Sequence, residues 1–332
     1  MNLRNDGLTF DDVLLVPKFS SIESRSSIDL STVLCEKKDF RLSLPIISAN
    51  MKTVTDGFVA HAMACLGGYG FVHRFMSVEE NVQGVMPFRE TVGCSVGARD
   101  GEKVRADALI LIGIKHICVD LAHGDSKMAF DMVHYIAKKY PDVILVAGNV
   151  STLEGAKRLV DAGADAIRVG IGPGSLCTTR IETGNGVPQL TALEDVYNYR
   201  MACSGKFGII ADGGIKNSGD IVKALCFSDA VMVGNLIAGS DETPGQVVEI
   251  DGKKYRRYEG SSTHKNSHIE GVKALVPARG PLLHVIKRLA EGIRSGLSYQ
   301  GARNLSELRR NPEFIRISAL GIRENNHHDV IV

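Results

Sequence analysis

The sequence has almost no net charge and no long apolar run, and each absence excludes a class of partner. Its 39 basic and 38 acidic residues leave a formal charge of +1, which argues against nucleic acid or an anionic membrane as the main partner. No stretch approaches the roughly 18 uninterrupted apolar residues of a membrane-spanning helix. The first residues, MNLRNDGLTFDD, contain no apolar segment, so we expect no secretory signal.

Cysteine pairs with the spacing of metal fingers or redox motifs are also lacking. The seven cysteines are scattered, mostly through apolar segments, and none forms a CxxC pair. This pattern predicts reduced thiols and a cytoplasmic protein. Cys94 and Cys118 lie within apolar runs and are predicted to fill the core.

Short apolar runs recur along the chain and predict its fold. Hydrophobic residues make up 44% and charged residues 23% of the 332, which is ordinary for a globular protein with a large core. Helix-like stretches separate most of the runs, which end in a glycine or a polar residue. The runs are Pro45–Asn50, Tyr69–His73, Val92–Gly97, His116–Asp120, Val143–Asn149, Ala166–Gly170, Gly208–Asp212 and Asp229–Gly234.

Eight strand–helix units predict an α/β protein, a (β/α)8 TIM barrel that spans residues 1–332 as a single catalytic domain. Runs this apolar are typical of parallel strands buried on both faces. A doubly wound open sheet is the alternative, but eight repeats favour closure. Polar residues also gather at the carboxyl ends of the runs, where barrel active sites are built. They are Asn50, His73, Asp120, Asn149 and Asp212.

The interval after the sixth run contains the clearest candidate for chemistry. Its excess length is the glycine-rich segment Gly170–Gln189, which we expect to be a mobile active-site loop. Five glycines let backbone amides approach a ligand closely, and Cys177 among them is typical of a nucleophile beside an anion. Arg180 would help to stabilise the thiolate. An incidental thiol on a surface loop is the alternative.

Glycines at three late strand ends predict a phosphate site. They lie in Gly172–Ser175, Ala211–Gly214 and Val233–Asn235, and barrels often bind phosphate through backbone amides there. Asp212 beside such a site suits ribose hydroxyls, so the ligand is predicted to be a nucleotide. Residues 241–281 predict a hairpin with an Asp-Gly turn at 251–252, either a flap over the site or a surface hairpin.

Over nearly its full length the chain resembles the IMP dehydrogenase/GMP reductase family. The resemblance is carried by Leu8–Pro17, Ser48–Met51, Val119–Gly124, Ala211–Ile215 and the segment GPGSLCTTR at 172–180. It implies that Cys177 attacks C2 of a purine nucleotide, and that Thr179 and the flap residue Glu270 are also catalytic. It further implies a substrate site formed by Ser175, Asp212, Gly213, Gly214, Gly234, Asn235, Tyr258, Gly260 and Ser261. Asp120, Ala122 and Asn149 would bind the cofactor.

The family contains two reactions. The dehydrogenase oxidises IMP to XMP with NAD and water, whereas the reductase converts GMP to IMP and ammonia with NADPH. Four features favour the reductase, with GMP and IMP as partners and NADPH as cofactor. One is a likeness to the short Bacillus-type reductases at Ser24–Ser26, Ala49–Met51, His73–Phe75 and Gly260–Ser262. The regulatory cystathionine-β-synthase-type insertion of the dehydrogenases, expected between Met76 and Gly93, is missing. The flap stretch 260–270 contains neither Arg nor Tyr to activate water, and Thr183–Gln189 resembles the reductase pattern TGxGxPQ.

The C-terminus resembles the other branch. Gly321–Val330 is similar to the dehydrogenase tail that helps to bind a monovalent cation across a subunit contact. By resemblance, K+ would be held by the backbone carbonyls of Gly172, Gly174 and Cys177, and the protein would be a homotetramer. The pair His327–His328 suggests a metal but has no third ligand. Three alternatives stay open: a dehydrogenase without its regulatory domain, a non-catalytic nucleotide-binding relative, and a flavin or sugar-phosphate barrel enzyme.

Overall fold

The computed structural model describes residues 6–260, 272–318 and 320–325. The strands in chain order are β1 (Val13–Leu15), β2 (Thr32–Cys35), β3 (Phe40–Leu42), β4 (Ile46–Ser48), β5 (Tyr69–Val72), β6 (Gly93–Val96), β7 (His116–Asp120), β8 (Ile144–Val150), β9 (Ala166–Val169), β10 (Gly208–Asp212), β11 (Ala230–Val233), β12 (Val247–Ile250), β13 (Lys253–Glu259), β14 (Lys273–Pro277) and β15 (Phe314–Arg316).

The helices of the described ranges lie mostly between the strands. They are α1 (Gly57–Cys65), α2 (Val78–Val85), α3 (Glu102–Leu111), α4 (Lys127–Lys139), α5 (Leu153–Asp161), α6 (Thr179–Thr183), α7 (Gln189–Ala202), α8 (Ser218–Leu225), α9 (Asn235–Ala238), α10 (Leu282–Tyr299), α11 (Leu305–Arg309) and α12 (Gly321–Glu324). No helix in these ranges is long and apolar enough to cross a membrane.

Eight parallel strands, β4 to β11, close into a barrel. Closure is made by β11 against β4, where Val231 lies opposite Ile46 and Met232 opposite Ile47. The predicted (β/α)8 barrel is confirmed, and the open sheet is wrong. All eight apolar runs form these strands, with bounds that differ from the prediction by at most two residues.

The helices begin and end where local side chains and glycines dictate. Before α5, the Thr152 side chain accepts a hydrogen bond from the Gly155 amide, which satisfies one of the donors that a helix start leaves free. After α5, Gly163 adopts a φ of 112°, which other residues rarely reach, and the chain turns into β9. Each connection thereby returns the chain to the same end of the barrel.

The amino end of the barrel is closed by apolar packing. The hairpin β2–β3 contributes Leu34 and Phe40 to the cluster inside the barrel, and the Phe40 ring packs edge-on against Tyr69 at 5.0 Å. His116 packs against the same ring, and burial lowers its pKa to about 4. Cys94 and Cys118 are fully buried, as predicted. An opening to solvent is therefore left at the carboxyl ends of the strands.

The hairpin predicted after the barrel is confirmed. Between β12 and β13, Asp251 and Gly252 both have positive φ, 50° and 73°, the backbone of the tight turn that Asp-Gly favours. Strand β14, which was not predicted, pairs antiparallel with β13 and places Tyr258 opposite Ala274. The result is a three-stranded sheet rather than a lone hairpin.

Candidate active site

A cavity of about 220 Å³ lies at the carboxyl end of the barrel. Residues from the carboxyl ends of six barrel strands, from the cysteine loop and from β13 line it. The predicted site residues among them are Asp120, Ala122, Asn149, Gly172, Gly174, Ser175, Cys177, Thr179, Asp212, Gly213, Tyr258 and Gly260. The structure thus brings together most of the residues that the sequence singled out.

Cys177 and Thr179 form a hydrogen-bonded pair in this cavity. The Cys177 thiol donates to Thr179 Oγ1 at 3.0 Å. The Cys177 amide donates to the Gly174 carbonyl at 3.0 Å, which fixes the turn that presents the thiol. Thr179 begins the short helix α6 and is buried. A nucleophile and a hydroxyl that can exchange a proton with it are therefore already in contact.

Arg180 shapes the cysteine loop from behind. Its Nη2 donates to the Val187 carbonyl at 2.7 Å and to the Ile171 carbonyl at 3.4 Å, so it joins the two ends of the loop. The side chain runs against Gly172 and Gly186, where an added Cβ would lie 2.5 and 2.7 Å from it. The sequence suggested Arg180 as a stabiliser of the thiolate. In the structure its guanidinium group is hydrogen-bonded to carbonyls of the loop.

The ends of β9 and β10 approach each other closely beside the loop. Gly170 has a φ of 146°, and a Cβ on it would lie 2.0 Å from the Asp212 carbonyl oxygen. Gln189, almost fully buried, donates from Nε2 to the Val169 carbonyl at 2.8 Å and to the Asp212 carbonyl at 3.3 Å. The sequence did not single out Gln189, because its polar partners come from strands far away in the chain.

The predicted phosphate end is built around Tyr258. Its hydroxyl donates to Met51 Sδ at 3.7 Å, and a Cβ on Gly234 would lie 2.7 Å from the same oxygen. Burial raises the pKa of Tyr258, so the hydroxyl stays a neutral donor. Gly214, Gly234 and Asn235 are predicted phosphate residues that do not line the cavity, whereas Gly213 does.

Two carboxylates and a buried arginine form the floor of the cavity. Arg168 Nη1 donates to Asp120 Oδ1 at 2.6 Å, and its Nη2 donates to Asp212 Oδ2 at 2.7 Å. Asn149 Nδ2 donates to the same Asp212 Oδ2 at 2.7 Å. Burial alone would raise the pKa of Asp120, but Arg168 and Arg74 hold it below its usual range. Sequence reasoning missed Arg168, although a single arginine in the apolar run 166–170 was a signal.

Unlike the other predicted polar residues at the strand ends, His73 does not line the cavity. Asn50, Asp120, Asn149 and Asp212 line the cavity, whereas His73 is buried beside it and its Nδ1 accepts from the Phe75 amide at 3.1 Å. Burial lowers its pKa to about 4, helped by the charges of Lys52 and Arg105. His73 is therefore a neutral structural residue.

Several predicted residues lie outside the described residues. These are Ser261, Glu270, His327 and His328. The described base of the flap does contact the cysteine loop, because the Val272 amide donates to the Leu176 carbonyl at 3.2 Å. Among the described residues, no group of three His, Cys, Asp or Glu side chains could hold a metal ion. K+ at the carbonyls of Gly172, Gly174 and Cys177, and the tetramer, stay predictions.

The sequence matches the family model of the IMP dehydrogenase / GMP reductase domain over residues 7–328. Inosine-5'-monophosphate dehydrogenase of Borreliella burgdorferi is 34% identical, with 99% of this chain and 98% of the relative covered. GMP reductase of Leishmania donovani is 29% identical, with 98% and 97% covered. The fold resembles that of a GMP reductase from Trypanosoma brucei in complex with guanosine 5'-monophosphate, with a TM-score of 0.94, 27% identity and 99% of both chains covered.

The missing insertion does not separate the two reactions. The alignment with the Leishmania donovani reductase extends over 483 positions, so at least 151 of them have no counterpart in this 332-residue chain. A dehydrogenase from Nitrosopumilus maritimus aligns over 475 positions, and the Borreliella dehydrogenase over only 402. Proteins of either name thus carry additional residues of different lengths. The argument from the missing insertion in favour of the reductase therefore fails.

The close approach at Gly170 makes it a position where a single methyl group disrupts the site. We expect Gly170→Ala to lower the free energy of unfolding by about 3 kcal/mol or more, because overpacking adds to backbone strain. Gly184→Ala in the same loop is the matched control, since Gly184 also has positive φ but open space around its Cβ position. It should lose only about 1 kcal/mol. Denaturant unfolding measures both, and equal losses would contradict the proposed crowding at Gly170.

Proposed function

The chain belongs to the IMP dehydrogenase/GMP reductase family of nicotinamide-dependent oxidoreductases, and we propose that it is an NADPH-dependent GMP reductase. The observation that carries a purine nucleotide reaction is the Cys177–Thr179 pair, which shares one cavity with Asp212, Ser175 and Tyr258. The observation that favours the reductase is the flap sequence, which lacks the Arg-Tyr pair expected of a dehydrogenase.

The nucleotide is proposed to lie across the cavity with its phosphate at Ser175 and Tyr258. The two hydroxyls and the backbone amides near Gly213 supply neutral donors for phosphate oxygens. Asp212 Oδ2 already accepts from Arg168 and Asn149. Its Oδ1 has no hydrogen-bond partner in the described part of the chain, so it is the oxygen proposed to accept from the ribose hydroxyls.

Cys177 is proposed to attack C2 of GMP. The Thr179 hydroxyl, 3.0 Å away, takes the thiol proton as it passes its own proton to N3 of the purine, and the sulfur adds to C2 as the C2–N3 double bond opens. The double bond then re-forms with loss of the N3 proton, which replaces the proton given to the amino nitrogen, and the bond from C2 to that nitrogen breaks to release ammonia. A hydride supplied by the bound cofactor then adds to C2, and cleavage of the carbon–sulfur bond restores the thiolate and gives IMP.

Glu270 is proposed as the acid that protonates the leaving ammonia. It precedes Val272 by two residues, and the Val272 amide is bonded to Leu176, the residue before Cys177. The described base of the flap, at Val272, therefore contacts the chain segment of the nucleophile. A carboxyl group beside a leaving group can protonate it and later recover its proton.

The dinucleotide is proposed to bind at Asp120, Ala122 and Asn149. These residues line the same cavity as Cys177, and Asp120 is held as an anion that can accept from hydroxyl groups. NADPH supplies the hydride when bound. The chain's own contribution is to hold the carboxylate and amide that orient the nicotinamide end.

A dehydrogenase lacking the regulatory domain is the second candidate. It is favoured by the Borreliella burgdorferi dehydrogenase, which is 34% identical, and by the tail Gly321–Val330. Against it, water needs a base in order to attack C2, and the flap stretch 260–270 offers no Arg-Tyr pair for that purpose.

Turnover with two substrate pairs tests the proposal directly. The protein should consume NADPH when mixed with GMP and should produce little or no NADH with IMP and NAD, because the flap stretch 260–270 lacks the Arg-Tyr pair expected to activate water. The measurement is the absorbance of the reduced nicotinamide, together with ammonia release. Faster turnover of IMP with NAD than of GMP with NADPH would establish the dehydrogenase instead.

Replacement of the nucleophile tests the covalent route. Cys177→Ala should reduce kcat by on the order of 10⁴-fold or more, because no other group can form the bond to C2. Cys203→Ala is the matched control, since Cys203 is an exposed thiol, and its activity should match that of the wild type. Mass spectrometry of an acid-quenched reaction should find a nucleotide adduct on Cys177. Activity that survives in Cys177→Ala would rule out the covalent intermediate.

Glu270→Gln tests the proposed acid. The amide keeps the size of the side chain but cannot donate a proton, so kcat should fall by about 10²–10⁴-fold while the Kd for GMP changes little. Rapid-quench measurement of ammonia should locate the loss in the deamination step. An equal loss in nucleotide binding and in deamination would remove Glu270 from this role.

A further inference from the structure

Arg168 is a charged side chain inside an otherwise apolar part of the barrel. Its neighbours in β9, Ile167 and Val169, are fully buried, and Arg168 itself is 5% exposed. Side chains alternate along a strand, so Arg168 faces the same side as Ala166, which belongs to the cluster inside the barrel. Its Nη1 lies 3.3 Å from the sulfur of Cys118 in the same interior. A buried guanidinium is retained only where it is paired.

The two terminal nitrogens of Arg168 bind carboxylates from two different strands. Nη1 binds Asp120 at the end of β7, and Nη2 binds Asp212 at the end of β10, with distances of 2.6 and 2.7 Å. Both carboxylates line the cavity, but they belong to the cofactor end and the ribose end respectively. Since both terminal nitrogens are bonded to carboxylates, Arg168 would affect the ligands through Asp120 and Asp212.

Few other charges balance this carboxylate pair. Arg74 Nε lies 3.7 Å from Asp120 Oδ2, on a side chain that is 26% exposed. Asn149 donates to Asp212 but is neutral. Burial raises the pKa of the Cys118 thiol to about 11, so it adds no charge. Without Arg168, two partly buried carboxylates would face each other with one weakly placed cation.

We propose that Arg168 is a positioning residue that holds Asp120 and Asp212 in one frame, so that the nicotinamide cofactor and the nucleotide ribose are oriented by the same guanidinium group. The role of Arg168 rests on the proposed function only for the identity of the two ligands. Because the ion bridge spans β7 to β10, a change at Arg168 should alter the binding of both ligands together. A residue that positioned one ligand alone would alter the binding of that ligand only.

The first test needs no turnover and compares Arg168→Met with Asp120→Asn/Arg168→Met. In the single variant the carboxylate pair retains a proton to higher pH in the folded state than in the unfolded state. Its stability therefore falls as that proton is lost, and the deficit in Tm relative to wild type should grow from about pH 5 to about pH 8. The double variant removes one carboxylate, so it should recover much of the Tm at high pH and show a flatter pH dependence.

Arg200→Met is the matched control. Arg200 is a partly buried arginine that is also paired with a carboxylate, Asp229, but Arg309 binds the same carboxylate and stays in place. Its Tm deficit should be independent of pH, and its KM values should equal those of the wild type. A Tm deficit of Arg168→Met that is constant with pH and is not relieved by Asp120→Asn would overturn the proposal.

The second test is kinetic and uses Arg168→Lys, which keeps one charge but cannot bind both carboxylates in the same way. The KM for the nucleotide and the KM for the dinucleotide should both rise by about tenfold, with a smaller loss in kcat. A rise in one KM alone would overturn the joint frame. If the wild type turns over IMP with NAD instead of GMP with NADPH, the proposed function fails. The measurement still decides about Arg168 on that pair, since both pairs present a ribose and a nicotinamide.

Discussion

The rest of the site depends on one constraint, the need to satisfy polar groups at the mouth of an apolar barrel. The interior cluster from Leu34 to Met232 is mostly apolar, so the polar side chains at the carboxyl end find their main partners among one another and in nearby backbone groups. The outcome is a connected set in which Arg168 joins Asp120 to Asp212 and Asn149 joins Asp212 to the Gly170 carbonyl. Such a set is held rigid by its own bonds, which is what orientation of two ligands requires.

The cysteine loop is fixed by a different means. Its glycines permit approaches that no side chain would allow, at Gly170 against the Asp212 carbonyl and at Gly172 against Arg180. Arg180 then binds carbonyls at both ends of the loop, and Gln189 binds the strands below it. The loop thus draws its order from the barrel, and the thiol of Cys177 is presented by backbone geometry rather than by an ion pair.

Much of this could be predicted from the sequence, because parallel strands of one barrel end at one edge. Apolar runs gave the strands, and the polar residues that follow them gave most of the cavity lining, with His73 as the exception. The pairing of β1 with β15 could not be predicted, since it joins residues about 300 positions apart with no local signal. Strand β14 was missed because its alternate residues are exposed and look like loop. Arg168 and Gln189 were missed because their importance lies in partners on other strands.

The choice between the two family reactions is physically separate from the barrel. In the proposed mechanism both reactions need a thiol that attacks C2, a carboxylate for the ribose and a dinucleotide beside the purine, and these parts serve either reaction equally. The difference is whether water is activated at C2 or ammonia is released from it, and that depends on acid–base groups brought by the flap. The flap stretch 260–270 has one carboxyl group, the acid proposed for ammonia, and lacks the Arg-Tyr pair proposed for water. Under this proposal both reactions use the same parts of the barrel, which accounts for the likeness of this chain to proteins of both names.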